Sequence, residues 1–340
     1  MVRTIGLSRW RSSATLFLGL GVGMVLLLAC LLFSLSLGAA DIEFGTVYRA
    51  LTDFDNSTNH LIVRSVRLPR TLVALIVGAA LAVAGAVMQG LTQNPLADPG
   101  ILGVEIGAAF AVVVATFIFN INSLGVYAWF AFLGATVVAV LVYVIATLSP
   151  GGVTPLNLTI AGVVFSSLIS TFISGIMIVS QSTLEETRFW LAGSVAGRDL
   201  DLLLQVLPYL TSGLVLALAL GRQITTLSLG EDVAKGLGQN TTLVKGLGTV
   251  SVVLLAGGSV AIAGPIGFVG LVIPHMVRFL VGVDYRWILP YSAIFGAVLL
   301  TISDIAARLV LRPQELPVGL IMPIIGAPLF LHLVRSRSKS

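Results

Sequence analysis

Residues 78–107 read GAALAVAGAVMQGLTQNPLADPGILGVEIG, and the way this stretch folds decides the rest. Gly78, Ala82, Ala86 and Gly90 recur at every fourth position, so one face of a helix carries only small side chains and admits a neighbouring backbone closely. Gln93, Asn94, Pro95, Asp98, Pro99 and Gly100 cannot continue that helix. Two prolines remove backbone donors and push the residues before them toward extended geometry. The stretch therefore predicts two apolar helices joined by a broken polar turn. In hydrocarbon such a turn is tolerated only where protein or a water-filled cavity satisfies the freed backbone groups, which makes it a candidate piece of a transport pathway.

The surroundings agree. Of 340 residues, 57% are hydrophobic and only 10% charged, and the mean hydropathy is +1.04. A soluble core of this size needs far more surface charge, so the sequence predicts an all-α polytopic membrane protein in one domain. Cys30 is the only cysteine and lies in an apolar run, which excludes an intrachain disulfide and a multi-cysteine metal site. The pI is about 9.5. The basic residues are nevertheless scattered or terminal and form no stripe, which points to the membrane surface and not to nucleic acid.

Ten apolar runs follow one another, at about 14–37, 68–90, 100–120, 125–148, 157–180, 202–221, 242–262, 265–282, 287–307 and 316–334. A span needs about 20 apolar residues, and an even number returns both basic tails to one side. The expected topology has cytoplasmic tails at 1–13 and 336–340, a transmembrane domain at 14–335, an outer segment at 41–66 with a short amphipathic helix, and a cytoplasmic segment at 222–241. All three lysines, Lys235, Lys245 and Lys339, then fall inside, whereas half of the arginines fall outside. The joint GSVAIAGPIGFVGLVIPHMVR, between the seventh and eighth runs, is broken by Gly and Pro like the first. Interrupted segments in corresponding halves point to a transport site.

RLPR at Arg67–Arg70, GAVMQGLTQNPLADPGILG at Gly85–Gly103, LSLGEDVAKGLG at Leu227–Gly238, GPIGFVGLVIPHMVR at Gly264–Arg278, and DIAARLVL with ELPVG and GAP between Asp304 and Pro328 closely resemble the FecCD family. Those proteins are permeases of bacterial ATP-binding-cassette importers for iron-siderophores, haem and cobalamin. The resemblance runs from about residue 14 to 335. It implies a type II importer permease with about ten transmembrane helices in the bacterial cytoplasmic (inner) membrane. It also implies a second permease subunit, two cytoplasmic ATPases that hydrolyse ATP, and an extracytoplasmic substrate-binding protein, with no cofactor or metal held by this chain.

Residue by residue, the resemblance implies ATPase coupling through Gly230, Glu231, Asp232, Leu237 and Gly238, where the plain alternative is a solvated loop. Arg67, Arg70 and Arg308 match positions that face acidic residues of the binding protein. The alternatives are snorkelling to lipid headgroups or an internal Arg308–Asp304 pair one helical turn apart. Asn94 and Leu96, with Thr154 and Pro155, resemble the constrictions of the pathway, although Asn before Pro is also ordinary turn chemistry. Ser166, Ser170 and Ser174 put hydroxyls on one face, as a lining for the cargo or as glue between helices. Glu105 is expected on the pathway near its inner end, and it departs from the family, which usually has a small polar or amide residue there. His275 reads as a structural residue near a helix end, with no second ligand nearby for a metal.

Competing functions carry fewer residues. GxSxG, HExxH, CxxC and GxxxxGK[ST] are all absent, so no enzyme is expected and ATP must be bound by another chain. An ion-coupled secondary transporter would need an ionisable residue at mid-membrane, for which Glu105 is the one strong candidate, and would have no use for the Gly-Glu inner segment.

Overall fold

The computed structural model describes residues 13–38 and 41–338. The expected cytoplasmic tails lie outside the described residues, apart from Ser13 and the backbone of 336–338. In chain order the helices are α1 Ser13–Ser36, α2 Phe44–Thr52, α3 Thr58–Leu91, α4 Val104–Phe119, α5 Leu124–Leu148, α6 Pro155–Val179, α7 Gln181–Leu191, α8 Leu200–Ala219, α9 Gly221–Leu227, α10 Glu231–Gly236, α11 Thr241–Ala263, α12 Val269–Val281, α13 Tyr285–Leu309 and α14 Val318–Ser338. Seven are long and apolar enough to cross a membrane. With the shorter apolar helices Val104–Phe119, Val269–Val281 and Val318–Leu331 they account for the ten runs.

α3 is the centre of the bundle, and nearly every residue from Pro69 to Leu91 is buried. A Cβ built on Gly78 would come 2.4 Å from the Gly296 carbonyl oxygen, and one on Gly85 would come 2.0 Å from that of Gly270. Backbone thus meets backbone along the small-residue face, where α3 packs on α13 and α12. With lipid tails as apolar as leucine, this close dispersion contact is what holds membrane helices together. Pro69 cannot donate to the helical ladder, and the preceding residues Ile62–Arg67 widen into a π turn that accommodates it.

Both predicted joints are broken. In the first, Gln93 has φ 51°, the Asn94 side chain accepts from Leu96 N at 2.9 Å, and Asp98 accepts from Gly100 N at 2.9 Å. A short 3-10 turn, Pro99–Leu102, then leads into α4. In the second, Ala263 and Val269 are separated by Gly264 at φ 72° and Phe268 at φ 70°. A side chain at Gly264 would meet the Trp190 carbonyl, and Ser194 N donates to the Ala263 carbonyl at 2.7 Å, so the chain after α7 seals this joint. The amphipathic helix expected after the first span is α2, with Val47 and Ala50 buried and Tyr48 and Arg49 outside.

Candidate functional site

Two ends of the bundle carry the polar residues. At one end α1, α3 and α13 meet in an arginine knot. Arg70 donates to Asp304 through Nη2 at 2.9 Å and through Nε at 3.0 Å, and it also pairs with Glu315. Arg308 pairs with Asp304 at 3.0 Å and donates to the carbonyls of Ser34 and Leu37. Arg67 donates to the Leu35 carbonyl at 2.8 Å and to that of Ser36. The carbonyl bonds tie the end of α1 to α3 and α13, and Asp304 joins α3 to α13, so the knot fixes one end of three spans.

Arg67, Arg70 and Arg308 are only 6%, 5% and 2% exposed, and their burial is tolerated because internal carboxylates and carbonyls accept their guanidinium donors. The Arg308–Asp304 pair is present. All three arginines, with Glu315, nevertheless line a crevice of about 190 Å³, and Asp304 pairs with Arg70 and Arg308 from outside that lining. The arginines that stand out in solvent at this end are Arg49, Arg64 and Arg312, and Arg312 pairs with Asp41 at 3.0 Å. That pairing holds the Asp41 carboxyl below its ordinary range.

The opposite end gathers the first joint and the 222–241 segment. Gly230, at φ 121°, starts α10 in a conformation that side chains rarely adopt, and Gly238, at φ 80°, ends the turn after it. Glu231 pairs with Lys235 at 3.0 Å and Lys245 at 2.6 Å. The Lys245 hydrogen bond, with help from Lys235, holds the Glu231 carboxyl below its ordinary pKa. Lys245 also donates to the Val153 carbonyl at 3.0 Å, and Gln93 Nε2 donates to the Leu227 carbonyl at 3.1 Å. The segment is thereby tied both to the GGVTP turn and to the broken joint. Its apolar side chains face away from the bundle: Leu229, Val233 and Leu237 are 61%, 49% and 69% exposed. Asp232 stands exposed beside them.

Asn94 and Leu96 lie in the joint, Leu96 exposed and Asn94 half-buried, while Thr154 caps α6 by accepting from Asn157 N at 3.1 Å and Pro155 is its first residue. These four residues perform turn and cap chemistry. On α6, Ser170 and Ser174 are exposed and Ser166 is half-buried. The Ser174 hydroxyl donates to the Ser170 carbonyl at 2.9 Å, as Ser167 and Thr171 do to their own previous turn. These hydroxyls bond within α6 and leave its face unpartnered within the chain. Glu105 sits in the first turn of α4, half-buried. His275 is buried against Phe279 and Phe330, and no cluster that could hold a metal occurs among the described residues.

Sequence reasoning missed three participants. Glu315 and Lys245 acquire their roles from partners distant in sequence. Arg198, between α7 and α8, is buried, donates from Nε to the Ser194 carbonyl at 3.2 Å, and has its pKa pulled down to about 10 by burial.

The comparisons with known proteins follow this geometry. A profile described as the FecCD transport family matches residues 26–336. The chain is 48% identical over 315 residues to the iron(3+)-hydroxamate import system permease protein FhuB of Bacillus subtilis, covering 92% of this chain and 82% of that one. It is 40% identical over 317 residues to the ferric enterobactin transport system permease protein FepD of Escherichia coli, covering 93% and 94%. A solved structure described as an inward-facing conformation of a metal-chelate type ABC transporter superposes with a TM-score of 0.83 at 32% identity, covering 93% of this chain and 98% of that chain. The chain belongs to the FecCD transport family, with the all-helical fold of an ABC importer permease.

Proposed function

We propose that this chain is the membrane-spanning permease subunit of an ATP-driven importer of a ferric siderophore in the bacterial inner membrane. Its relatives named for hydroxamate and enterobactin transport support that cargo class. The observation that carries the mechanism is the short helix α10. Three exposed apolar side chains around it await a partner, while Glu231 and Lys245 tie it to the gate turn at Val153. A cytoplasmic ATPase that grips Leu229, Val233 and Leu237 would move the GGVTP turn and the NPLADP joint together, converting nucleotide-driven closure into opening of the inner constriction.

On this reading both termini and α10 are cytoplasmic and the arginine knot is extracytoplasmic. A second permease subunit covers the α6 face, placing Ser166, Ser170 and Ser174 along the pathway, and two ATPases supply the hydrolysis. Arg67, Arg70 and Arg308 act from within the crevice: an acidic side chain of the binding protein enters it and competes with Glu315 for Arg70. The experiment is co-purification from native membranes followed by uptake assays with a panel of ferric siderophores. Isolation with an ATPase and a binding protein is expected, and accumulation of a ferric chelate only when both are present.

A further inference from the structure

A second feature lies beside α10, and it rests on the reading that a cytoplasmic ATPase docks there. A pocket of about 270 Å³ opens between the broken joint, the start of the coupling segment and the end of α12, lined among others by Gln93, Ser228, Leu229, Val283 and Arg278. Arg278 is half-buried in it. Its Nη1 donates to Gln89 Oε1 at 2.6 Å and its Nη2 to the Tyr285 hydroxyl at 2.8 Å. Gln89 is itself fixed, since its amide nitrogen donates to the carbonyls of Gly270 and Leu271. The guanidinium is therefore held rigidly by neutral groups.

Among the described residues, no carboxylate lies within 4 Å of Arg278. The nearest acid in sequence on the next element, Asp284, is committed to Arg286 at 2.8 Å and to Thr225 at 3.3 Å. A positioned, uncompensated fork in a polar pocket is built to receive a planar anion bidentately, and a fixed orientation lowers the entropy cost of doing so. Leu229, which lines the pocket, also belongs to the exposed apolar patch around α10. The pocket and the patch are thus one continuous surface.

We infer that this pocket is a second anchor for the ATPase, receiving one of its acidic side chains on Arg278. The apolar patch around α10 supplies contact area. The Arg278 pocket supplies register, and it joins the ATPase directly to Gln93 in the broken joint and to Ser228 before α10. Movement of the ATPase is transmitted through two points, so α10 is pulled and not merely pivoted.

The test is the affinity of the purified permease, in nanodiscs of neutral phosphatidylcholine, for its co-expressed ATPase at about 0.05 M and about 0.3 M salt. Arg278→Gln removes the charge. Val283→Asp leaves Arg278 and its hydrogen bonds in place and, at a position 65% exposed, offers it an internal carboxylate. Both are expected to lose at least about tenfold in affinity at low salt and to show a shallower salt dependence, with Arg278→Lys, which keeps the charge but loses the fork, falling between them and the wild type. If both variants bind as the wild type does, the pocket is no anchor. If their defect appears only when anionic lipid is added, the pocket belongs to a headgroup phosphate and the inference is likewise overturned. Failure of the wild-type chain to bind any ATPase would instead overturn the function on which the inference rests.

Discussion

Glu231 and Lys245 are joined by a 2.6 Å ion pair across fourteen residues, and the same ammonium reaches the Val153 carbonyl at 3.0 Å. One lysine thus links α10 to the turn that starts α6. Lys245 is buried to 7% exposure, so losing Glu231 strands a cation, whereas losing Lys235, which is mostly exposed, does not.

Glu231→Gln is therefore expected to leave expression and ATPase binding largely intact but to uncouple hydrolysis from uptake, while Lys235→Ala stays close to wild type. Parallel measurement of phosphate release and chelate uptake in proteoliposomes checks this. Equal coupling ratios in all three proteins would remove the linkage.

The same pair predicts a pH response. The folded-state pKa of Glu231 is depressed below its ordinary 4.5, so its contribution is complete above that value and is lost as pH falls through the lower folded pKa. Coupling should be flat in this respect from about pH 5 to 8 and should fail only in stronger acid. A midpoint near neutrality in the wild type, absent in Glu231→Gln, would contradict the assignment.

The arginine knot separates stability from docking. Asp304 is 1% exposed and partners both Arg70 and Arg308, so Asp304→Ala leaves Arg308 without a carboxylate and Arg70 with Glu315 alone, and should cost about 3–5 kcal/mol in thermal unfolding of the purified permease. Glu315 lies at the mouth of the crevice, its side chain 34% exposed. Glu315→Gln should leave stability nearly unchanged yet tighten binding-protein affinity, because Arg70 is released to the partner. Unchanged or weaker affinity would place docking on Arg49 and Arg64 instead.

Much of this was legible in the chain. The small-residue face of residues 78–90 foretold backbone contact, and Gly78 and Gly296 do approach closely enough that Gly296→Val should lose about 1–3 kcal/mol through overpacking. The Asp304–Arg308 pair was readable from its one-turn spacing. Its third member, Arg70, was not, because it lies 234 residues away and only tertiary packing brings it in. Arginine position alone could not separate a surface finger from a buried tie. The hydroxyls of α6 were visible as a face, but their hydrogen bonds back to the same helix emerge only from its geometry.

The α6 face has its own test. If Ser170 and Ser174 line the pathway, cysteines placed there should react with a membrane-impermeant thiol reagent, and a cysteine at Leu133, exposed on the apolar helix α5, should not. The native Cys30 is buried and gives little background. Inert Ser170→Cys and Ser174→Cys variants would assign this face to lipid.

The most direct measurement is accumulation of a ferric siderophore in proteoliposomes containing this permease, with and without its ATPase, its binding protein and ATP. The account predicts uptake only with all three, abolished when the ATPase is omitted and insensitive to dissipation of ion gradients. Uptake driven by an ion gradient in the absence of the ATPase, and lost in Glu105→Gln, would contradict it and identify a secondary transporter.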